Sequence, residues 1–210
     1  MNALFLAERA KRHCQPTDDV LTRLASSHQG FGEKEYLAAC QLLVSAGNET
    51  TFKAAANAIV LLARHPDQRR LLVDDPALLA TAVAEVLRYE GVPQASPRRV
   101  MLDTELAGVK LRKGQEVVAL LVAGNRDPAK FRDPGRFDVR RHPNPHLAFA
   151  HGTHLCLGAN LSRMEMQTMI GRLLQRVPEW EVTSVDYGES FHVRGPSYVG
   201  FAGTPARLRV

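Results

Sequence analysis

The chain of 210 residues has little cysteine and no long apolar run, and each absence excludes a class of protein. Three cysteines are an odd and sparse count, which argues against a small secreted domain held together by disulfides. No apolar run approaches the roughly 18 residues of a membrane span. The first basic residues follow the first apolar run, whereas a signal peptide places its positive charges before it. We therefore expect a cytoplasmic protein with no membrane anchor.

Dense basic runs are also missing, although the net charge is +5 and the isoelectric point is near 9.4. The arginines are scattered, and aromatic residues are only 6% of the chain. This pattern favours an ordinary solvated surface and predicts no binding of nucleic acid. A basic patch that docks an acidic protein is the second interpretation.

Hydrophobic residues make up 45% of the chain, which is typical of a folded domain. The helical pattern of residues 33–64 contains no proline and predicts one helix of about 45 Å, longer than a small domain is wide. Its apolar side chains, from Leu42 to Leu62, spread too far round the helix for one small domain to bury. We therefore expect this helix to belong to a molecule larger than 210 residues.

The remaining pattern predicts a mostly α fold with small β-sheets, in the α+β class. Further helices are predicted at residues 4–13, 67–74, 76–90 and 155–177, with an N-terminal helix signal at residues 17–19. Strands are predicted at residues 98–102, 104–106, 109–111 and 116–121 and again within 180–210, and a loop is predicted at residues 28–32.

The densest cluster of reactive side chains lies at residues 149–158, where a loop that contains glycine precedes a helix. Cys156 near a helix N-terminus faces free N–H groups and the positive end of the helix dipole, which favours the thiolate. Gly152 and Gly158 would let the backbone pack against a flat cofactor. Three interpretations remain open on spacing alone: a buried structural cysteine, a haem-iron ligand, or a zinc site that also uses His142, His146, His151 and His154.

Four segments resemble motifs of the cytochrome P-450 family, in the family's order. The segment around Cys156 is similar to the cysteine-ligand loop, F-G-x-G-x-H/R-x-C-x-G. Ala150 departs from it, because the family usually has glycine there, and alanine is tolerable if its φ stays negative. The other three motifs are the oxygen-activation motif, the E-x-x-R helix and the meander, at residues 46–51, 85–88 and 131–137.

The resemblance implies a haem b cofactor, iron protoporphyrin IX, with Cys156 as the axial ligand of the iron. His154 and Arg98 would bind the haem propionates, and Arg98 is preferred over its neighbour Arg99. Phe149, Gly152 and Gly158 would complete the cofactor-binding loop.

In the oxygen-activation motif, the resemblance implies that Ala46 and Gly47 widen the helix groove over the iron. Glu49 and Thr50, about 100° apart on the helix, would deliver protons during catalysis. Simpler interpretations exist for both pairs. An Ala-Gly pair is typical of a close helix crossing, and Glu49 is also spaced for an ion pair with Lys53.

Glu85 and Arg88 lie on one helix face, and the resemblance implies that Arg136 of the meander joins them in a buried network. An exposed pair of this kind would contribute under about 1 kcal/mol. We expect the buried trio to support the cysteine loop structurally and to take no part in catalysis.

The resemblance covers nearly all of residues 1–210 but only the C-terminal half of the family's usual length, so we expect a partial P-450 domain that lacks the N-terminal half. The implied function is insertion of one oxygen atom from O2 into an apolar substrate, with electrons from a ferredoxin or a flavoprotein reductase. The alternative is a non-catalytic remnant or haem-binding module. Pocket-lining segments are expected at Leu42, Leu43, Ala46, residues 92–96 and residues 196–199.

Overall fold

A computed structural model describes residues 1–26 and 31–206, and most of the predicted loop at residues 28–32 lies outside them. Helices dominate this described part of the chain, and short antiparallel strands pair into two-stranded sheets, so the predicted α+β class is confirmed. The helices are α1 (Asn2–Cys14), α2 (Val20–Ala25), α3 (Glu33–Arg64), α4 (Pro66–Asp74), α5 (Leu79–Tyr89), α6 (Leu121–Gly124) and α7 (Ala159–Arg176). The strands are β1 (Ala95–Arg99), β2 (Thr104–Leu106), β3 (Val109–Leu111), β4 (Glu116–Leu120), β5 (Glu179–Asp186) and β6 (Tyr198–Thr204).

The chain divides into two compact units, Met1–Glu49 and Thr50–Val210, and the boundary falls within α3. In the first unit, the predicted helix signal is confirmed at Asp19, which caps α2 by accepting a hydrogen bond from the Thr22 N–H at 2.7 Å. That bond, together with others from Thr17 and Arg12, holds the pKa of the Asp19 carboxyl well below its usual range. An N-terminal cap of this type typically stabilises a helix by about 1 kcal/mol.

The second unit contains the main hydrophobic core, which forms between the C-terminal part of α3, α5 and α7. Val60, Leu61 and Leu62 are at most 2% exposed, so the expectation that this end of α3 could not be buried is wrong. Leu42 and Leu43, in the first unit, are 65% and 39% exposed, as that expectation required. The helix therefore has a buried end and an open end.

The strand pairs are β1 with β4, β2 with β3, and β5 with β6. The strand predicted at residues 98–102 begins earlier, at Ala95, and includes Pro97 opposite Val118. Proline has no N–H to donate, and β1 accommodates it because β4 is its only strand partner in the described part of the chain. The helix predicted at residues 155–177 begins at Ala159, because the residues before it form the cysteine loop.

None of the helices seen in residues 1–26 and 31–206 combines the length and the apolar character that crossing a bilayer requires.

Candidate haem-thiolate site

The cysteine loop closes on itself through backbone hydrogen bonds. The Cys156 N–H donates to the Phe149 carbonyl at 2.9 Å, and the Leu155 N–H donates to the Gly152 carbonyl at 2.9 Å. The Ala159 N–H then donates to the Cys156 carbonyl at 3.3 Å, where α7 begins. These bonds fix the backbone on both sides of Cys156, so the loop presents its side chain from a defined position.

Cys156 is exposed, which excludes the interpretation as a buried structural cysteine. The leucines on either side are exposed as well, Leu155 at 58% and Leu157 at 91%. A Cβ placed on Gly158 would lie 4.0 Å from the Cys156 sulfur, an ordinary contact distance, so glycine leaves additional room beside the thiol. The loop therefore offers a thiol within an apolar exposed surface, a suitable chemistry for a flat apolar group that carries a metal.

Two residues of the loop have left-handed backbone conformations. Gly152 has φ of 71°, which glycine adopts without a steric penalty. Ala150 has φ of 59°, so the condition under which alanine would be a tolerable replacement, a negative φ, is not met. An alanine in this region costs roughly 1–2 kcal/mol because its Cβ crowds the following carbonyl oxygen. The loop therefore keeps its backbone conformation although alanine replaces the family's usual glycine, and Ala150 is strained as a result.

The Phe149 ring anchors the loop to its surroundings. Its centroid lies 5.8 Å from that of the His146 ring, and the Arg163 guanidinium of α7 lies over it at 4.6 Å. Burial and the positive charges of Arg163 and Arg88 lower the pKa of His146 to about 4. The His146 Nδ1 also accepts from the Ala148 N–H at 3.3 Å, which requires that nitrogen to be unprotonated. A neutral imidazole therefore packs behind the loop near pH 7.

His154 and Arg98, the two residues expected to bind the propionates, are both exposed, as residues that contact a ligand need to be. His154 ends the 3₁₀ turn Gly152–His154, two residues before Cys156. The Arg98 Nη1 donates to the Ser96 hydroxyl and to the Pro97 carbonyl, at 2.5 and 2.8 Å. Arg99 instead pairs with Glu116 of β4 at 3.4 Å, which matches the expected surface charge. The propionate roles of His154 and Arg98 stay predictions.

The oxygen-activation residues lie on α3, across the boundary of the two units. Ala46, Gly47 and Glu49 are exposed in the first unit, and Thr50 is half-buried at the start of the second. A Cβ on Gly47 would meet no atom of the described residues within 4 Å, so none of those residues packs closely against this glycine. The proposed proton-delivery roles stay predictions.

The sequence did not single out Thr51, which is 8% exposed. Its hydroxyl lies 3.2 Å from that of Ser162. This bond joins α3 to the first turn of α7, next to the cysteine loop. The only feature of the sequence that could have indicated this contact is that a second threonine follows Thr50 directly.

Glu85 and Arg88 form a fully buried pair, with both side chains 0% exposed. Arg88 donates to the two Glu85 carboxylate oxygens at 2.7 and 2.8 Å. It also donates to the backbone carbonyls of Asn125, Pro134 and Arg136, at 3.0, 2.9 and 3.1 Å. Every N–H of the guanidinium therefore has an acceptor, which a buried cation requires.

The second arginine of this network is Arg141, whereas the sequence predicted Arg136. The Arg141 Nε lies 3.1 Å from both Glu85 oxygens, and its side chain is 11% exposed. Arg136 has an exposed side chain and takes part through its carbonyl, which accepts from Arg88 and from Arg141. The Arg141 N–H donates to the Asp138 carbonyl at 3.0 Å, so the chain turns between the two arginines and places the later one at the carboxylate.

Residues that follow the meander complete the hydrogen bonding of Glu85. The Asp138 N–H donates to one carboxylate oxygen at 3.0 Å, and the Asn144 side-chain amide donates to the other at 3.1 Å. Asn125, 0% exposed, accepts from the Leu147 N–H at 2.7 Å. This last bond connects the network to the chain that leads into the cysteine loop, and it makes the network a support of that loop.

The zinc interpretation finds no support in the geometry. No three His, Cys, Asp or Glu side chains in residues 1–26 and 31–206 are grouped as metal ligands would be. The histidines of residues 142–154 therefore do not assemble a site with Cys156. A single exposed thiol with room beside it fits a metal that a cofactor holds by other means.

Comparisons with known proteins agree with this geometry. The family model for Cytochrome P450 matches residues 73–186. A biotin biosynthesis cytochrome P450 of Bacillus subtilis is 41% identical over 184 residues, 87% of this chain and 46% of that protein. A mycinamicin IV hydroxylase/epoxidase of Micromonospora griseorubida is 40% identical over 195 residues, 89% of this chain and 49% of that protein.

Solved structures show the same fold. The crystal structure of P450BioI, in complex with an acyl carrier protein ligated to hexadec-9Z-enoic acid, superposes with a TM-score of 0.92 and 39% identity. The match covers 96% of this chain and 52% of that one. The chain thus spans about half the length of the relatives it matches. The family model matches more than half of the residues, and the buried Glu85–Arg88 pair and the exposed Cys156 thiol before α7 agree with it. The chain belongs to the cytochrome P450 family.

Proposed function

We propose that this chain is the haem-binding part of a monooxygenase that inserts one oxygen atom from O2 into an apolar organic substrate. The observation that carries the proposal is the Cys156 loop, which presents an exposed thiol from a hydrogen-bonded backbone at the start of α7. The relatives that carry hydroxylase, epoxidase or monooxygenase in their names support the reaction class.

The residues around Cys156 fit a haem b. A bound haem supplies the oxygen activation and electron transfer, and a thiolate ligand favours cleavage of the O–O bond. Cys156 would provide that ligand, with Gly158 leaving space beside the sulfur and Phe149 fixing the loop behind it. The exposed Leu155 and Leu157 would give the apolar surroundings that a porphyrin face requires.

His154 and Arg98 would bind the two negatively charged propionates by charge-assisted hydrogen bonds. Arg98 now donates to Ser96 and Pro97, two uncharged acceptors, which a carboxylate would replace favourably. An arginine presents a planar pair of N–H donors that matches a carboxylate, and this supports Arg98 in the role.

Protons would enter through Glu49 and Thr50. The exposed Glu49 carboxylate can exchange protons with solvent, and the Thr50 hydroxyl, one residue along α3, can donate one proton while it accepts another. General acid–base catalysis of this kind typically contributes 10²–10⁴-fold, as an order of magnitude. Ala46 and Gly47, which precede them, are small and would leave space for O2 beside the helix.

Electrons would come from a ferredoxin or a flavoprotein reductase. The net charge of +5 supports a partner with an acidic surface. The apolar character of the substrate is supported by the exposed Leu42 and Leu43 on α3. A non-catalytic haem-binding module is the alternative.

The test is the absorption spectrum of the reduced carbon monoxide complex in haem-reconstituted protein. Cys156→Ser should abolish the red-shifted Soret band that a thiolate ligand produces. Cys14→Ser is the matched control, because Cys14 is also exposed, and it should leave the band unchanged. A band that survives in Cys156→Ser would overturn the ligand assignment. A normal band without oxygen-dependent product, when a reductase and ferredoxin are supplied, would favour the non-catalytic alternative.

A further inference from the structure

Lys53 is a buried lysine whose ammonium group connects two distant segments of the second unit. The residue is 5% exposed, and its Nζ donates to the Val193 carbonyl at 2.9 Å. A buried lysine is uncommon, because removing an ammonium from water is costly unless it gains strong acceptors. The residue therefore needs an explanation beyond ordinary packing.

Gly195, two residues after Val193, also packs tightly against Lys53. A Cβ built on Gly195 would lie 2.6 Å from the Lys53 Cβ and 3.2 Å from the Lys53 carbonyl oxygen. Both distances are shorter than an ordinary contact, so only glycine allows this approach without displacement. The lysine and the glycine together fix how closely residues 193–195 pack on α3.

Residues 192–194 pair in turn with residues 92–94, and we call this pairing the ladder. The Gln94 N–H donates to the His192 carbonyl at 3.1 Å, and the Arg194 N–H donates to the Val92 carbonyl at 2.9 Å. Pro93 and Val193 form the bridge between these bonds. A displacement of Val193 would therefore move the residues near Gln94 as well.

A second buried side chain of α3 holds the chain next to the other segment of the ladder, residues 92–94. Asn57, one helical turn after Lys53, is 3% exposed and donates to the Glu90 carbonyl at 3.0 Å. Glu90 lies two residues before the ladder begins. Helix α3 thus holds the two segments of the ladder through buried side-chain donors: Lys53 bonds the Val193 carbonyl, and Asn57 bonds the Glu90 carbonyl.

The ladder forms a wall of an open cavity of about 330 Å³. Gln94 and Arg194 of the ladder line this cavity together with Phe191. The cavity is therefore shaped by residues whose positions depend on Lys53, although Lys53 does not line it.

We infer that Lys53 is a positioning residue that sets the wall of the substrate pocket through its bond to the Val193 carbonyl. This inference rests on the proposed function and on the expectation from the sequence that residues 92–96 line the substrate pocket. The ammonium holds residues 192–194, these hold residues 92–94, and one residue of each segment, Arg194 and Gln94, lines the cavity. Lys53 acts on substrate selection and leaves the chemical step to other residues.

The experiment compares Lys53→Met and Gly195→Ala with the parent in haem-loaded protein of full native length. Methionine keeps the apolar stem of the lysine and removes its donors, whereas the alanine Cβ disturbs the same contact without a change of charge. Lys53→Arg keeps a donor and is the conservative variant. Lys110→Met is the matched control, because Lys110 is exposed on β3.

Two measurements are made on each variant. Hydrogen exchange at the Gln94 and Arg194 amides reports the ladder and needs no haem. Dissociation constants for imidazole and for 4-phenylimidazole report the pocket, because both probes bind haem iron and only the second reaches a wall. We expect faster exchange and a change of about tenfold in the ratio of the two constants, the effect of about one hydrogen bond to a charged group.

The expected result is that both Lys53→Met and Gly195→Ala shift the ratio, that imidazole alone binds as in the parent, and that Lys53→Arg restores most of the parent ratio. Unchanged amide exchange would overturn the inference. Faster exchange with an unchanged ratio would also overturn it and leave Lys53 as a purely structural residue. If the parent binds neither azole, the proposed function itself fails, and the exchange rates still show whether Lys53 holds the ladder.

Discussion

The network around Glu85 and the loop around Cys156 differ in almost every physical respect. Glu85 and Arg88 are completely buried, and the network satisfies its charges with short hydrogen bonds from side chains and backbone. The Cys156 loop is exposed and is held mainly by backbone hydrogen bonds, with a strained residue at Ala150. One region uses strong interactions to fix the chain, and the other leaves its side chains open.

The difference separates support from function. Buried charges must have partners within the molecule, so their roles can be assigned from contacts alone. An exposed thiol between two exposed leucines has no such internal explanation, and its role depends on what binds there. Variants of the two regions should therefore differ in kind: changes in the network should alter stability, and Cys156→Ser should alter only the spectrum of the bound haem.

The largest effect is expected for Glu85→Gln. The substitution leaves Arg88 and Arg141 without a negative partner in a buried site, and removal of one partner of such a pair typically costs about 3–5 kcal/mol. Domains are stable by only about 5–15 kcal/mol, so the variant should be close to unfolding. The measurement is the free energy of unfolding in urea.

The same substitution at Glu179 provides the control. Glu179 pairs with Arg70 at 2.7 Å, but both side chains are more than half exposed, at 57% and 63%. Loss of an exposed pair costs under about 1 kcal/mol. Equal effects at Glu85 and Glu179 would contradict the view that burial makes the network essential.

The next effect concerns the pH dependence that His146 creates. Its pKa is about 4 in the folded protein, and that of an unfolded histidine is near 6.5, so the unfolded state binds an extra proton between these values. Stability should therefore fall as the pH is lowered from about 6.5 to about 4, by roughly 3 kcal/mol in total. Below that window this residue should cause no further loss.

His146→Asn should remove this part of the pH dependence, because asparagine keeps an acceptor for the Ala148 N–H and does not titrate. Urea unfolding at a series of pH values measures the difference between the variant and the parent. His13→Asn, at an exposed histidine, is the control. If the parent and His146→Asn have parallel stability curves from pH 4 to 6.5, the buried neutral histidine is not responsible.

A smaller effect distinguishes Arg136 of the meander from Arg141, which follows it. Arg141→Met removes bonds to both Glu85 oxygens and to three backbone carbonyls, and should destabilise the protein by about 2 kcal/mol. Arg136→Met keeps the carbonyl through which Arg136 takes part, so it should stay within about 0.5 kcal/mol of the parent. Urea unfolding of the two variants side by side measures both, and the reverse order would restore the arginine that the sequence motif predicted.

Much of the framework could be predicted from the sequence because it depends on local patterns. The helix Glu33–Arg64 has the predicted bounds, since it lacks proline and keeps its periodicity throughout. The E-x-x-R pair depends on a spacing of three residues on one helix face, and its geometry follows directly. The strand pair of β2 and β3 has the predicted limits, because a glycine turn lies between them.

The parts that could not be predicted depend on contacts between distant segments. Arg141 reaches Glu85 across 56 positions, and Lys53 reaches Val193 across 140, so no local pattern could indicate either bond. The sign of φ at Ala150 depends on how the loop closes on Phe149, which the sequence does not encode locally. Contacts that side chains make with distant segments therefore decided most details of the site.

The smallest effect tests the strain in the cysteine loop. Ala150→Gly removes the strain of an alanine at φ of 59°, which should raise the free energy of unfolding by roughly 1–2 kcal/mol. Glycine also makes the unfolded chain more flexible, which should lower the free energy of unfolding by about 0.4–1 kcal/mol. The net result should be a stabilisation of about 0.5–1 kcal/mol. Ala202→Gly in strand β6 is the control and should have the opposite sign, because glycine weakens a strand by about 0.5–1 kcal/mol. Urea unfolding of both variants measures the difference. If Ala150→Gly destabilises the protein as Ala202→Gly does, the loop does not hold Ala150 in the left-handed region. The Cys156 loop would then be no more strained than the buried network around Glu85.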